Sequence, residues 1–193
     1  MQGASQEKEF LREQFKDIRS LISENEAKAA SEKISNIFFE NITLTKTDII
    51  SGYYPINDEM SPIYLFDQLK KKKITTSLPV VTGSNMPLIF REWQQGEELV
   101  PNKITKVQEP KAAAKQVNPT IILVPMLAFD ENGYRLGYGG GFFDRTIRNF
   151  KKYNHKFITV GIAYERQKTE PLPLDAHDQR LDYIITEEQI LQF

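Results

Sequence analysis

The apolar residues near the start of the chain recur at helical spacing. Between residues 7 and 22 the apolar positions are Phe10, Leu11, Phe15, Ile18, Leu21 and Ile22. The basic residues that fall mostly on the other faces of this helix are Lys8, Arg12, Lys16 and Arg19. This three-and-four spacing predicts an amphipathic helix. The sequence Ser23-Glu24-Asn25-Glu26 then has the Ser-x-x-Glu form of a capping box and predicts the start of a second helix.

The rest of the chain alternates short apolar segments with helical ones. We predict strands at residues 48–54, 74–81, 88–93, 120–124, 157–163 and 183–186, helices at 61–73 and 142–150, and a C-terminal helical turn. The run Thr120-Ile121-Ile122-Leu123-Val124 is apolar almost throughout, as expected of a central strand covered on both faces. The alternation predicts one α/β domain spanning residues 1–193, with helices on both faces of a mainly parallel sheet in three α/β/α layers.

A long polar connection separates two of the predicted strands. Residues 94–118 contain Pro101 and Pro110 and are followed by Pro119, and these prolines disfavour regular structure. A connection of this length in a compact domain is more often functional than idle. We therefore expect an irregular loop that contributes to the site.

Composition and charge exclude several classes of protein. The 25 basic and 26 acidic residues nearly cancel, so no overall field that attracts nucleic acid or an anionic membrane is expected. The absence of cysteine excludes disulfides and a thiolate nucleophile. The first residues carry acid and amide groups where a signal peptide has an apolar core, and no apolar run approaches spanning length. We expect a cytoplasmic protein that binds small molecules, as a monomer or weak homodimer.

A glycine-rich segment follows the predicted central strand. Four of the five residues from Gly137 to Gly141 are glycines, which allow a sharp turn that directs several backbone N–H groups at one anion. For a glycine cluster alone, a flexible surface turn is an equally good interpretation. The flanks favour a phosphate site, because Arg135 and Arg145 supply positive charge and Asp144 supplies a carboxylate suited to Mg²⁺. No Gly-Lys-Ser/Thr follows, so the segment is not a Walker loop.

The segment also carries a specific resemblance. The run Val124-Pro125-Met126-Leu127-Ala128-Phe129-Asp130, then Gly133 and the residues from Arg135 to Arg145, resembles the signature of the 5-formyltetrahydrofolate cyclo-ligase family. Further matches, in order and spacing, are Lys8-x-x-x-Arg12, Glu59, Glu109-Pro110, Glu165-x-Gln167 and the segment from Pro173 through His177-Asp178 to Leu181-Asp182. The resemblance thus covers nearly the whole chain. One departure is Phe142-Phe143, where the family usually has two tyrosines.

The resemblance implies a reaction and a role for each matching residue. ATP and 5-formyltetrahydrofolate would give 5,10-methenyltetrahydrofolate, ADP and phosphate, with Mg²⁺ held by Asp144 and Asp178. The residues expected to act in catalysis are Arg135, Tyr138 and Asp144. Those expected to bind ATP are Lys8, Arg12, Arg135, Leu136, Gly137, Tyr138, Gly139, Gly140, Gly141, Phe142, Phe143 and Arg145. Those expected to bind the folate are Tyr54, Glu59, Tyr138 and Gln167.

Without the resemblance, the same residues have simpler interpretations. Lys8 and Arg12 would belong to a solvated helix face, Glu59 would be an exposed loop acid, and Tyr54 and Tyr138 would be packed aromatic residues. A non-catalytic regulator that binds a nucleotide or a folate is the alternative function on the same scaffold. A sugar-phosphate isomerase or acyl-transferase relative with the same layered fold is a third hypothesis.

Overall fold

A computed structural model describes residues 2–193, with side chains from residue 5 onwards. The helices are α1 Gln2–Ser20, α2 Glu24–Asn41, α3 Ile63–Lys71 and α4 Phe142–Lys152, and a short 3-10 helix spans Glu165–Gln167. The strands are β1 Ile49–Ser51, β2 Thr75–Val80, β3 Ile89–Glu92, β4 Leu99–Pro101, β5 Gln108–Pro110, β6 Gln116–Val117, β7 Ile121–Val124, β8 Ala128–Phe129, β9 Arg135–Leu136, β10 Ile158–Ile162, β11 Tyr183–Ile185 and β12 Ile190–Gln192.

The two predicted N-terminal helices are present, and local chemistry separates them. At the start of α2 the Ser23 hydroxyl accepts from the Glu26 backbone N–H, and the Glu26 carboxylate accepts in return from the Ser23 N–H. This reciprocal capping box satisfies two donors that a helix start leaves open, and it confirms the prediction. It also fixes the point at which α1 ends and the chain turns.

The main sheet has eight strands in the order β12-β11-β10-β7-β1-β2-β3-β6. The five strands from β11 to β2 are parallel, while β12 and β3 run antiparallel to their inner neighbours. The chain leaves β1 towards β2 on one side and leaves β7 towards β10 on the other. The order therefore reverses between β1 and β7, and open α/β sheets bind their ligands at the carboxyl ends of two such strands.

Two apolar clusters lie on opposite faces of this sheet. Buried residues of α2 and α3, including Phe38 and Phe66, pack with Leu123 and Val160 on one face. On the other face Ile147 and Phe150 of α4 pack with the alternate strand positions, among them Ile122 and Val124. Full burial of each such side chain contributes about 1.5–3 kcal/mol. The arrangement confirms the predicted three-layer α/β architecture.

Several short elements differ from the sequence prediction. The connection 94–118 is not irregular throughout, because β4 pairs with β5 and β6 adds an edge strand to β3. The predicted C-terminal helical turn is wrong: Ile190–Gln192 forms β12, paired antiparallel with β11. The hairpin of β8 and β9 was not predicted. Within residues 2–193, no helix combines the length and the apolar character needed to cross a bilayer.

Candidate functional site

A cavity of about 920 Å³ opens at the carboxyl edge of the sheet, where the strand order reverses. Its apolar wall comes mostly from the ends of strands and the segments after them: Tyr53, Ile56, Pro79, Val81, Leu88, Val107 and Pro125. Its charged wall comes from α1, from β9 and α4 on either side of the glycine segment, and from the loop before β11: Lys8, Arg12, Arg135, Asp144, Asp175 and Asp178. A single cavity therefore offers one wall for an aromatic ligand and one for phosphates.

The glycine segment forms a turn with two residues in a backbone conformation that side chains disfavour. Gly139 has φ of 93° and Gly141 has φ of 62°, both in the left-handed region that disfavours side chains. Gly141 is also the N-cap of α4 and has no side chain to cap the helix. All five residues from Gly137 to Gly141 line the cavity. The helix start therefore presents open backbone N–H groups there, as at other phosphate sites.

Arg135 and Asp144 form a partly buried ion pair beside this turn. Arg135 Nη2 donates to Asp144 Oδ1 at 2.9 Å, and the side chain of Arg135 is only 5% exposed. Arg135 Nη1 donates to the Gln179 carbonyl, while the Gln179 backbone N–H donates to Asp144 Oδ1 at 2.9 Å. Arg135 lies on β9 of the β8–β9 hairpin, and Asp144 lies in the first turn of α4. Both side chains are therefore held in fixed positions.

Lys8 lies across from this pair, between two carboxylates. Its Nζ is 2.6 Å from Asp175 Oδ2 and 2.7 Å from Asp178 Oδ2. Burial lowers the pKa of Lys8, but the hydrogen bonds and charges of Asp175 and Asp178 outweigh it and raise the pKa above its ordinary value. Lys8 is therefore a cation, and it is buried rather than part of a solvated helix face.

Arg12, one turn further along α1, contacts the glycine segment directly. Its Nε donates to the Gly137 carbonyl at 2.9 Å, and Nη1 pairs with the exposed carboxylate of Glu9 at 2.7 Å. The backbone of Gly139 lies against the same guanidinium. The Lys8-x-x-x-Arg12 spacing thus places both cations on the face of α1 that lines the cavity.

Glu59 and Tyr54, which follow β1, are brought to the cavity as well. Glu59 is 8% exposed, and its Oε2 accepts from the Ile56 backbone N–H at 3.0 Å. Burial raises the pKa of Glu59 to about 6, against the opposing effects of that N–H and of the charge of Arg19. A buried carboxylate on an apolar wall is suited to a ligand with paired N–H donors.

The structure places two of the predicted site residues outside the cavity lining. Gln167 is 1% exposed, and its side chain bonds the backbone at Met126, Leu127 and Tyr164. Arg145 braces the glycine segment from outside, with Nη2 donating to the Gly140 carbonyl at 2.7 Å and to the Ser84 carbonyl. Gln167 and Arg145 therefore support the walls. The other predicted residues all line the cavity.

Phe142 and Phe143 line the cavity and also pack against the core on the α4 side of the sheet. The guanidinium of Arg145 lies 4.9 Å from the centre of the Phe142 ring. The two rings therefore have a packing role that needs no phenol oxygen.

Two residues at the site were not predicted from the sequence. Asp175 lies in the matching C-terminal segment, but nothing in its own pattern distinguished it from nearby acids. Arg19 was assigned to a polar helix face, yet it is 2% exposed and its Nη2 donates to the Tyr138 hydroxyl. The prediction for Arg19 was wrong because the β8–β9 hairpin and the 3-10 helix pack against α1, and Tyr138 contacts the guanidinium. The missed signal was the helical spacing of Lys8, Arg12 and Arg19, which puts all three on one side of α1.

Asp144 and Asp178 have the donor chemistry that Mg²⁺ requires. Asp144 uses Oδ1 for both of its hydrogen bonds, and Asp178 uses Oδ2 for Lys8 and for the Asp175 N–H. Among the described residues, the second oxygen of each carboxylate makes no hydrogen bond. No group of three or more acidic or histidine side chains able to hold a metal alone is found in that part of the chain. Mg²⁺ ordinarily takes one or two carboxylates together with substrate phosphates, so these residues fit it.

Comparisons with known proteins point to one family. The model of the 5-formyltetrahydrofolate cyclo-ligase family matches residues 4–187. The 5-formyltetrahydrofolate cyclo-ligase of Escherichia coli K12 is 33% identical over 149 residues, which are 75% of this chain and 80% of that protein. The 5,10-methenyltetrahydrofolate synthetase of Aquifex aeolicus superimposes with a TM-score of 0.79 and 30% identity, covering 96% of this chain and 92% of the other. The 5,10-methenyltetrahydrofolate synthetase of Mycoplasma pneumoniae superimposes with a TM-score of 0.73 and 25% identity, covering 93% of this chain and 98% of the other.

Proposed function

The chain belongs to the 5-formyltetrahydrofolate cyclo-ligase family, and on that premise we propose that it converts 5-formyltetrahydrofolate and ATP to 5,10-methenyltetrahydrofolate, ADP and phosphate. The observation that carries this proposal is the single cavity with one apolar and one charged wall. It suits a reaction in which a pterin-borne oxygen must meet a γ-phosphate. A cytoplasmic location and a monomeric or weakly dimeric state remain predictions.

The chemistry requires activation of an unreactive oxygen. The formyl oxygen attacks the γ-phosphorus, and the bond from that phosphorus to ADP breaks. The anilino nitrogen then attacks the formyl carbon, the carbon–oxygen bond breaks, and the proton lost by the nitrogen leaves with phosphate. Such a transfer asks the protein mainly for positioning and for neutralisation of charge, so no covalent nucleophile is needed.

The residues of the charged wall would have different roles in binding ATP. Lys8, Arg12 and Arg135 would neutralise phosphate oxygens, while the N–H groups of the glycine segment would hold the γ-phosphate in position. Asp144 and Asp178 would hold Mg²⁺, which when bound supplies further positive charge to the phosphates. Lys8 would then exchange its two carboxylate partners for phosphate oxygens.

The opposite wall would hold the folate. Glu59 would accept paired hydrogen bonds from the aminopyrimidine edge of the pterin, and Tyr54 would contact the ring system. Tyr138 lies between the glycines and would donate a hydrogen bond at the reacting oxygen. The Arg135–Asp144 pair would orient the metal-binding carboxylate relative to the phosphates.

The test is an absorbance assay for the methenyl product. Fresh protein with 5-formyltetrahydrofolate, ATP and MgCl₂ should produce the methenyl chromophore and one ADP for each product formed. Omission of ATP, addition of EDTA, or replacement of ATP by a non-hydrolysable analogue should each stop the reaction. Absence of the chromophore with complete substrates overturns the proposal. ATP binding by calorimetry without turnover would instead identify a nucleotide-binding regulator.

A further inference from the structure

Arg19 is a buried cation that has no carboxylate partner among the described residues. It is 2% exposed, its Nη2 donates to the Tyr138 hydroxyl, and its Nη1 reaches the Met126 carbonyl at 3.4 Å. Its Nε has no hydrogen-bond partner within that part of the chain. Arg19 does not line the cavity, but Tyr138 does. The cation therefore lies one residue behind the cavity wall.

This arrangement is a poor solution for stability alone. Removing a permanent charge from water costs several kcal/mol, and one phenol with one distant carbonyl does not offset that cost as a carboxylate would. An apolar side chain of the same length would fill the space with no such cost. The guanidinium therefore requires a reason beyond packing.

The surroundings of Arg19 indicate what its charge acts on. Its guanidinium carbon lies 5.7 Å from the centre of the Tyr138 ring. The same charge opposes the burial that raises the pKa values of Glu59, Tyr53 and Tyr164. Of these groups, Tyr53, Glu59 and Tyr138 line the cavity. Arg19 is thus the positive centre behind the part of the wall that would meet the folate.

The direction of the Arg19–Tyr138 hydrogen bond is the decisive feature. Arginine can only donate, so the Tyr138 oxygen must accept. Arg19 is the only hydrogen-bond partner of that phenol among the described residues. The phenol hydrogen is therefore free to donate, and Tyr138, which lines the cavity, is 42% exposed as a whole residue. Donation from a guanidinium also polarises the O–H bond and makes it a stronger donor.

We propose that Arg19 is a positioning residue that orients and polarises Tyr138, so that the phenol donates a hydrogen bond to the oxygen between the formyl carbon and phosphorus as the carbon–oxygen bond breaks. This inference rests on the proposed function. Neither residue forms a covalent bond, and the phenol keeps its proton, because the proton of the anilino nitrogen leaves with phosphate. The hydrogen bond strengthens as negative charge develops on the departing oxygen.

A double-mutant cycle tests the inference. Arg19→Met and Tyr138→Phe should each lower kcat by about 100-fold, the loss expected for one preorganised donor. The KM values for ATP and folate should stay within about twofold, since the donor acts in the transition state. The double variant should be no slower than the slower single variant. Arg19→Lys should recover about tenfold of the kcat lost in Arg19→Met, but nothing when Tyr138 is also replaced.

The control is Lys16→Met, which removes an exposed cation from the same helix and should leave kcat unchanged because water screens that charge. Thermal unfolding of every variant establishes that each is folded. If Arg19→Met does not fold, the cycle with Arg19→Lys and Tyr138→Phe applies the same criterion. Additive losses, or a loss expressed only in KM, overturn the inference. A wild-type protein without turnover overturns the proposed function instead, so the two failures are distinct.

Discussion

The carboxylate of Asp144 and the guanidinium of Arg135 meet at 2.9 Å, Oδ1 to Nη2, on the wall of the cavity. The Gln179 N–H donates to the same oxygen, so both restraints act on one side of the carboxylate. In the proposed reaction, Arg135 binds phosphate and Asp144 binds Mg²⁺. Their contact therefore fixes the position of Arg135 relative to the carboxylate that would hold Mg²⁺, before any ligand binds.

Asp144→Asn should abolish most metal-dependent turnover while leaving the protein folded. The amide oxygen can still accept from Arg135 and Gln179, but the neutral side chain no longer attracts a divalent cation. We expect kcat with Mg²⁺ and ATP to fall by at least about 100-fold, with a thermal unfolding midpoint within a few degrees of wild type. The control is Asp17→Asn, an exposed acid on α1. Near-normal turnover of Asp144→Asn would remove Asp144 from the metal site.

Lys8→Met should weaken ATP binding specifically. Lys8 already holds its ammonium group at hydrogen-bond distance from two carboxylates on the cavity wall, and we propose that phosphate oxygens replace them. A charge-assisted hydrogen bond contributes about 1.5–3 kcal/mol, so the KM for ATP should rise by about 10- to 100-fold. The KM for 5-formyltetrahydrofolate should change little.

The matched control for Lys8 is Lys16→Met, on the same helix but paired with the exposed Glu13. Steady-state kinetics with each substrate varied in turn separates the two effects. Equal changes in both KM values, or no change in the KM for ATP, would contradict a phosphate-binding role for Lys8.

Two glycines of the same segment should respond differently to alanine. At Gly139 the backbone is left-handed, with φ of 93°, and an added Cβ would lie 3.4 Å from the Arg12 guanidinium. Strain of about 1–3 kcal/mol should therefore displace the turn and Arg12 together, and kcat/KM for ATP should fall by about tenfold or more. An added Cβ at Gly137 meets nothing within 4 Å. Gly137→Ala should lower kcat/KM for ATP less than Gly139→Ala does. Equal decreases would show that the strained conformation is unimportant.

The layered fold could be predicted from the sequence because apolar residues recur at regular spacing in the long helices and strands. A reader of the sequence can recognise the apolar faces of α1 and α4 and the continuous apolar run of β7 without knowing what they pack against. The strands β8, β9 and β12 have two or three residues each, too few to show a period of two. Each pairs with a strand close by in the sequence, β8 with β9 and β12 with β11, but segments this short have no hydrophobic pattern that identifies them as strands.

Site residues that lie in a recognisable sequence motif were predicted individually. Residues whose role depends on being buried in the fold were missed. Lys8, Asp144 and Asp178 lie in matching segments, and the structure brings them to one cavity. In the sequence Arg19 resembles any basic residue on a polar helix face, but in the fold the β8–β9 hairpin and the 3-10 helix pack against α1 and bury it. Gln167 follows a buried strand, where ligand contacts are common, but its amide binds backbone carbonyls instead.

Glu59→Gln should stabilise the protein near neutral pH, at the expense of folate binding. Burial raises the pKa of Glu59 to about 6 from an ordinary value of 4.5, so the fold favours the neutral acid. Its contribution to stability is present below pH 4.5 and is lost as pH rises through about 6. A shift of this size corresponds to about 2 kcal/mol, which the neutral glutamine should recover above that pH.

Urea unfolding of wild type and Glu59→Gln at pH values below 4.5 and above 6 measures this difference. The two proteins should be equally stable at the lower pH, and their free energies of unfolding should diverge as the wild-type carboxyl ionises. Asp58→Asn, an exposed neighbour, is the control and should show no such divergence. The KM for the folate should rise in Glu59→Gln, because an amide cannot accept the paired hydrogen bonds of a pterin edge as a carboxylate does. A glutamine variant less stable than wild type at the higher pH would show that the ionised carboxylate is satisfied within the fold, and that it is not poised for a ligand.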